Sequence, residues 1–449
     1  MIGWKRRRVA IGLALLGIIA LVDAAWALIT VRLNSAPEGC LFGDGESYCR
    51  LAVGRIAAAP FNRRILAPWL VRLMHFGPLA SRFAIVDAAG LASAAVATVL
   101  LGKLFARSIG LSDRVALAVG VAAAAMVTVS PYAVRDIRYA PTLVDDPALG
   151  LGLFALLAIL TAKRRTAVAV AAVLSLAAML TRESWGLPLG VAAIISAQPW
   201  IREGRRIGPP VAVILAVALG AALQWTLPYS GSSVSPLRVA LQRVSYYRSI
   251  HGASDLIYQV TMSTGGLLVL VGCLLVVPSV RRKLLSPIGM TLTGAALILT
   301  VEGLLGGTDI GRIAYAGLPV IAILGIGGVA ACDREAIVVR FGVVTLIVTL
   351  VFFHPWMMLS GSGTNYGLHL YFNGGAQTAQ VYAFALLIAS GVAVAAWTLH
   401  SGSRTSGLMP SYSALHPQVP RPQGRVSGTS VATEPMRMAL TDNSHGSGR

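Results

Sequence analysis

The sequence predicts an all-α polytopic transmembrane helix bundle of about twelve spans. Three observations predict it. Apolar residues make up 56 % of the chain and charged residues 12 %, whereas soluble domains carry about 25 % charge. Apolar runs of about 20 residues recur, the length a helix needs to cross a hydrocarbon core roughly 30 Å thick. The lysines gather in short breaks between those runs: Lys5, Lys103, Lys163 and Lys283 each sit beside arginines.

The chain opens on a basic segment, Met1 to Arg8, and then an apolar run over 9–31. That run is long for the core of a secretory signal, so it reads as an uncleaved signal anchor and the first span. Further spans fall at 83–105, 114–131, 146–162, 166–181, 186–200, 207–227, 264–280, 285–304, 313–331, 337–353 and 381–399. The pair 166–181 and 186–200 also fits a re-entrant hairpin. With the N-terminus inside, alternation puts the basic or charged breaks at Lys103/Arg107, Lys163–Arg165, Arg202–Arg206, Arg281–Lys283 and Asp333–Glu335 in the cytoplasm. Basic breaks on that side obey the positive-inside rule. The expected location is the plasma (inner) membrane with both termini cytoplasmic.

The long loops 32–82, 132–145, 228–263 and 354–380 then lie outside, with short ones near 182–185 and 305–312. In the first outer loop Tyr48, Leu51, Ala52 and Ile56 recur at helical spacing, as do Ile65, Trp69, Leu70 and Leu73. Amphipathic helices of this kind lie in the membrane interface. Residues 1–400 thus form the transmembrane domain. Residues 401–449 are rich in Ser, Gly, Pro and Thr and lack any apolar period, which predicts a disordered cytoplasmic tail.

The net charge of +19 is spread over membrane-flanking breaks, with no basic groove, and nucleic acid is excluded as a partner. Of the 18 acids, twelve fall in outer loops or the outer parts of spans, including Asp23, Asp87 and Glu302 within apolar runs. A carboxylate in a span costs roughly 2.5 kcal/mol or more near the centre and faces a cavity or a partner. Fourteen arginines and no lysine are expected outside. Arginine's planar fork suits phosphate and carboxylate, whereas lysine is a point charge. Cys40 and Cys49 bracket a polar loop placed outside, where oxidation is permitted; a disulfide and two free thiols are both open.

Five constellations carry chemistry. Asp44-Gly45-Glu46-Ser47-Tyr48 sets two carboxylates on a Gly-containing turn. One of them is suited to act as general base on a hydroxyl, or to bind a divalent metal. A solvated turn capping the next helix is the alternative. Asn62-Arg63-Arg64 precedes an amphipathic segment, where a headgroup anchor competes with a ligand site. Asp145 and Asp146 lead into a span, where helix-dipole compensation competes with function. Thr181-Arg182-Glu183-Ser184 and Gly306-Gly307-Thr308-Asp309-Ile310-Gly311-Arg312 set charges at turns between apolar runs. Salt-bridged turns are the alternative for both. His75, His251, His354 and His369 are scattered and suggest no metal site.

The ordered set of motifs resembles the GT-C membrane glycosyltransferases. Asp-x-Glu-x-Tyr followed by Arg50-Leu51-Ala52, then "NRRILAPWL", "VDDP", "LTRESWGLPL" and "GTDIGRIAYAGLP", span residues 40–320. The resemblance implies transfer of a sugar from a polyprenyl-phosphate donor to an acceptor hydroxyl on the outer face, usually with inversion. It implies Asp44 as the base, with Glu46 as the alternative. It implies that Arg63, Arg64, Arg182 and Arg312 meet the donor phosphate, with Asp145, Asp146, Glu183 and Asp309 supporting them. The expected partners are the polyprenyl-phosphate sugar, a glycan, lipid or protein acceptor, and membrane lipids; a divalent metal is the one cofactor left open. A twelve-span secondary transporter or lipid flippase is the rival. Transporters place charged sites near the midplane, and here the charges collect near one surface.

Overall fold

A computed structural model describes residues 40, 43–133, 136, 142–162, 165–202, 208–228, 236–305, 310–332, 336–353, 382–383 and 385–397. The expected first span, the loop 354–380 and the tail 401–449 lie outside the described residues, as does Asp309. The elements are helical throughout. In order they are α1 (Gly43–Ala52), α2 (Leu66–Leu73), α3 (Leu79–Ser108), α4 (Asp113–Thr128), α5 (Asp145–Thr161), α6 (Arg165–Thr181), α7 (Gly186–Arg202), α8 (Gly208–Thr226) and α9 (Pro236–Tyr247). They continue as α10 (Ile250–Thr264), α11 (Leu267–Val276), α12 (Pro278–Leu284), α13 (Pro287–Leu305), α14 (Ile310–Tyr315), α15 (Leu318–Ala330), α16 (Ala336–Phe352) and α17 (Ala385–Trp397). Short 3-10 turns occupy Phe61–Arg63 and Glu183–Trp185.

Among the described residues three helices are long and apolar enough to cross a membrane: α3, residues 209–226 of α8, and α13. Residues 252–264 of α10 and the whole of α11 form a fourth candidate, bent by 87°. Shorter apolar helices include 166–181 of α6, α15, 337–350 of α16, and α17. At 1.5 Å per residue, the 16 residues of α4 reach only about 24 Å.

Local sequence explains where these helices stop. α3 ends at Gly110, which takes φ +84°. The Gly110 amide donates to Arg107 O and the Leu111 amide to Ala106 O, both at 3.0 Å. This pairing satisfies the last carbonyls of the helix, and only the left-handed backbone of a residue such as glycine permits it. α10 starts on Ser249, whose side chain accepts from the Gly252 amide. It stops at Gly265, φ +57°. The expected span 264–280 is therefore broken at its first residues, and the preceding stretch, expected as a loop, is the two helices α9 and α10. The amphipathic helices expected near the first loop form as α1 and α2. α2 buries Ala67, Pro68 and Val71 and exposes Trp69, Leu70 and Leu73.

Close backbone approach sets the central packing. A Cβ on Gly90 of α3 would lie 2.3 Å from the Pro147 nitrogen of α5. One on Gly102 would lie 2.7 Å from the Gly120 Cα of α4. The indole of Trp185, fully buried, lies where a Cβ on Gly152 would be, 2.2 Å from its ring. That contact fixes the turn after α6 against α5. A separate apolar cluster of Tyr48, Cys49, Ala52, Ala67, Val71, Phe83, Val86, Leu143 and Val144 joins α1 and α2 to the first turns of α3 and the residues before α5. The disulfide Cys40–Cys49 ties the chain before α1 to its last turns.

Candidate functional site: a buried arginine–carboxylate cluster

Three of the site motifs deliver one side chain inward and send a neighbour elsewhere, whereas Arg182 and Glu183 both turn inward. Asp44 and Glu46 both lie in the first turn of α1, where a carboxylate complements the helix dipole. Arg312 Nη2 donates to Asp44 Oδ2 at 2.7 Å, and the Asp44 side chain is 31 % exposed. Glu46 instead pairs with Arg50 one turn on, at 3.7 Å, with both side chains half exposed. Two residues of separation on a helix turn the two carboxylates through about 200°, so they cannot share a site.

The Asn62-Arg63-Arg64 run splits three ways. Asn62 Nδ2 donates to Leu227 O and Pro228 O, each at 3.2 Å, which ties the 3-10 turn to the end of α8. Arg63 lies over the exposed Trp225 ring, 5.4 Å from its centroid, away from the other arginines. Arg64 is buried. Its Nε and Nη2 donate to Glu183 Oε2 and Oε1 at 2.8 and 2.6 Å, and its Nη1 donates to the Tyr48 hydroxyl at 2.7 Å. A bidentate fork of this kind is among the strong pairs a protein makes.

Asp145 and Asp146 also diverge. Asp145, in the first turn of α5, contacts Arg182 Nη1 directly and lies 3.3 Å from Arg312 Nε. Asp146 accepts from the Tyr315 hydroxyl at 3.3 Å. Tyr315 stacks on Tyr132 with centroids 6.1 Å apart, and Tyr132 donates to Gln259 at 2.8 Å. Asp87, wholly buried on α3, completes this second polar region, and neither of its carboxylate oxygens has a hydrogen-bond partner. Asp146 thus belongs to a different group of side chains from Asp145.

The result is a linear chain of charges, Asp44–Arg312–Asp145–Arg182, flanked by the pair Arg64–Glu183. Arg182 and Glu183 are adjacent residues, so the two units are joined through the backbone. Arg64, Arg182 and Arg312 are each less than a tenth exposed. Arg64 and Arg312 are near enough to act on Arg182 through their charge. Three guanidinium groups so close are tolerated because three carboxylates separate them, and such burial is costly without pairing. Burial alone would push the Glu183 carboxyl up; the charge of Arg64, its hydrogen bonds and Arg182 outweigh this and hold it at about 2.

Two contributors are not among the site residues that the sequence singles out. Tyr48 is 1 % exposed and caps Arg64. Its position one helical turn after Asp44 was the signal that could have found it. Glu302, known from sequence only as an intramembrane acid, sits on α13 within electrostatic reach of Arg182 and Glu183, and its Oε2 is buried without a hydrogen-bond partner. Among the described residues no three His, Cys, Asp or Glu side chains are arranged to hold a metal ion.

No protein-family model matches the chain, and no curated protein matches it.

Proposed function

We propose that this chain is a polytopic membrane glycosyltransferase that moves a sugar from a polyprenyl-phosphate donor to an acceptor hydroxyl on the outer face of the plasma membrane. The full reading has about twelve spans, both termini cytoplasmic, and an outward-facing site. One observation carries it. Motifs up to 268 residues apart, holding Asp44, Arg64, Asp145, Arg182, Glu183 and Arg312, converge on one buried cluster at the start of α5. Nothing in folding alone asks for three buried arginines, since apolar replacement of buried ion pairs is often neutral or stabilising. A site that stabilises a phosphate leaving group does ask for them.

In this reading Asp44 takes the proton of the acceptor hydroxyl as its oxygen attacks the anomeric carbon. The bond from that carbon to the phosphate oxygen breaks, and the electron pair leaves with the polyprenyl phosphate, facing Arg312, Arg182 and Arg64. Inversion follows from attack opposite the leaving group. Asp145 and Glu183 hold the arginines in place.

The test uses membranes carrying the wild type or Asp44→Asn, supplied with radiolabelled polyprenyl-phosphate sugars and an acceptor extract. Transfer is expected from the wild type. The variant should lose about 10²- to 10⁴-fold of it, the usual contribution of a placed base. Undiminished transfer by Asp44→Asn at equal expression would remove Asp44 from the mechanism.

A second reading rests on the bent pair α10–α11, broken at Gly265. Discontinuous helices are a feature of secondary transporters. Sugar-independent solute uptake into proteoliposomes would favour it.

A further inference from the structure

We infer that Arg312 is an exchangeable anion site: the donor phosphate displaces Asp44 from Arg312, so the base is freed only when the donor is seated. This rests on the phosphate-donor reading above. The ion pairing of the cluster motivates it. Among the described residues the ion pairs of the cluster join Arg64, Arg182 and Arg312 to Asp44, Asp145 and Glu183. A phosphate entering a cluster whose guanidinium groups are already paired adds a buried negative charge unless one carboxylate gives up its guanidinium.

The geometry selects which one. Asp145 is 5 % exposed and lies between two guanidinium groups. Glu183 is held through both oxygens by Arg64. Asp44 is 31 % exposed and receives a single hydrogen bond, from Arg312. The donor's phosphodiester can offer two oxygens to a guanidinium fork where Asp44 presents one, so the exchange is easiest at that position.

The rest of α1 stays in place during the exchange. Tyr48 is buried and hydrogen-bonded to Arg64, and Cys49 is both buried and joined to Cys40. Asp44 lies one helical turn before Tyr48, so rotation of its side chain releases the carboxylate while its backbone remains beside the site. The Asp44 oxygen that accepts from Arg312 is occupied by that bond; once released, it can turn to an acceptor hydroxyl. Donor binding therefore precedes activation of the acceptor hydroxyl.

The test is carboxyl footprinting of the purified full chain in detergent, using a carbodiimide and an amine, with farnesyl phosphate or inorganic phosphate as probe. Farnesyl phosphate should raise the modification rate of Asp44 roughly fivefold, the scale of a part-exposed ion pair. Asp113, exposed in the first turn of α4, should not change. Asp44→Asn should bind farnesyl phosphate about fivefold more tightly than the wild type, because the competing carboxylate is gone. Arg312→Gln should lose binding and leave Asp44 reactive without any probe.

Asp44 protected or unchanged when farnesyl phosphate is bound would overturn the exchange, as would equal or weaker binding by Asp44→Asn. Binding of neither probe would overturn it too. Equal release by inorganic phosphate would keep the exchange and remove the lipid phosphate as its specific trigger. Asp44 release without sugar transfer would retain the exchange and remove the transferase assignment; transfer with Asp44 unmoved would do the reverse.

Discussion

Replacing Glu183 with glutamine tests whether the cluster depends on its charge pairing. Arg64 makes two of its three hydrogen bonds to Glu183 and is 7 % exposed. Glutamine offers one acceptor oxygen and no charge, so the guanidinium would stay buried with the Tyr48 hydroxyl and a single amide oxygen. Removing one partner of a fully buried pair costs about 3–5 kcal/mol. Glu183 is 32 % exposed, and water can reach the vacated side. We therefore expect about 2–3 kcal/mol. The assay is unfolding of the purified chain in mixed micelles with increasing denaturing detergent, read by Trp fluorescence. Asp113→Asn is the contrast: it also removes a paired carboxylate, but at an exposed site, and should leave the midpoint unmoved. Equal effects from the two variants would refute the reasoning. The pH dependence has a matching sign. The folded state holds Glu183 at about 2, below the ordinary carboxylate value of 4.5. The unfolded chain therefore binds the proton first. The stabilisation is full above about pH 4.5 and is lost as pH falls towards 2, and Glu183→Gln should flatten that loss.

The remaining predictions concern packing and the first helix. Gly90→Ala places a methyl 2.3 Å from the Pro147 nitrogen, an overpacking that should cost about 3 kcal/mol or more and separate α3 from α5, read as a lowered unfolding midpoint. Gly152→Ala should expel the Trp185 indole, seen as a red-shifted emission, and loosen the turn that carries Arg182 and Glu183. Reducing Cys40–Cys49 opens a loop with a sequence separation of 9 and should remove about 2–3 kcal/mol of stability, measured by the unfolding midpoint with and without reductant. Ser230→Cys should react with an impermeant maleimide from outside; labelling only after membrane permeabilisation would reverse the orientation.

Much of the helical outline was legible because it depends on local patterns. The apolar runs at 83–105, 146–162 and 285–304 fall inside or within two residues of α3, α5 and α13. The repeat Ile65, Trp69, Leu70, Leu73 marks α2. The run at 264–280 misled because composition does not register a bend. Gly265 and Gly266 sit within apolar surroundings, and only the backbone shows that the chain turns by 87° there. In the sequence α9 and α10 look like loop because Arg238, Arg243 and Asp255 break up their apolar positions.

The site divided in the same way. The sequence offered Asp44, Arg64, Asp145, Arg182, Glu183 and Arg312 as candidates through the ordered motifs that carry the resemblance. It equally named Glu46, Arg63 and Asp146, because adjacent residues look alike in a string. Tertiary structure alone decided that Glu46 faces Arg50, Arg63 faces Trp225 and Asp146 faces Tyr315. The physical reason is range. Helix formation depends on residues three or four apart, whereas Arg312 finds Asp44 across 268 residues and Arg64 finds Glu183 across 119. Those pairings exist only once Gly90 and Gly152 have let α3, α5 and the Trp185 turn close upon one another.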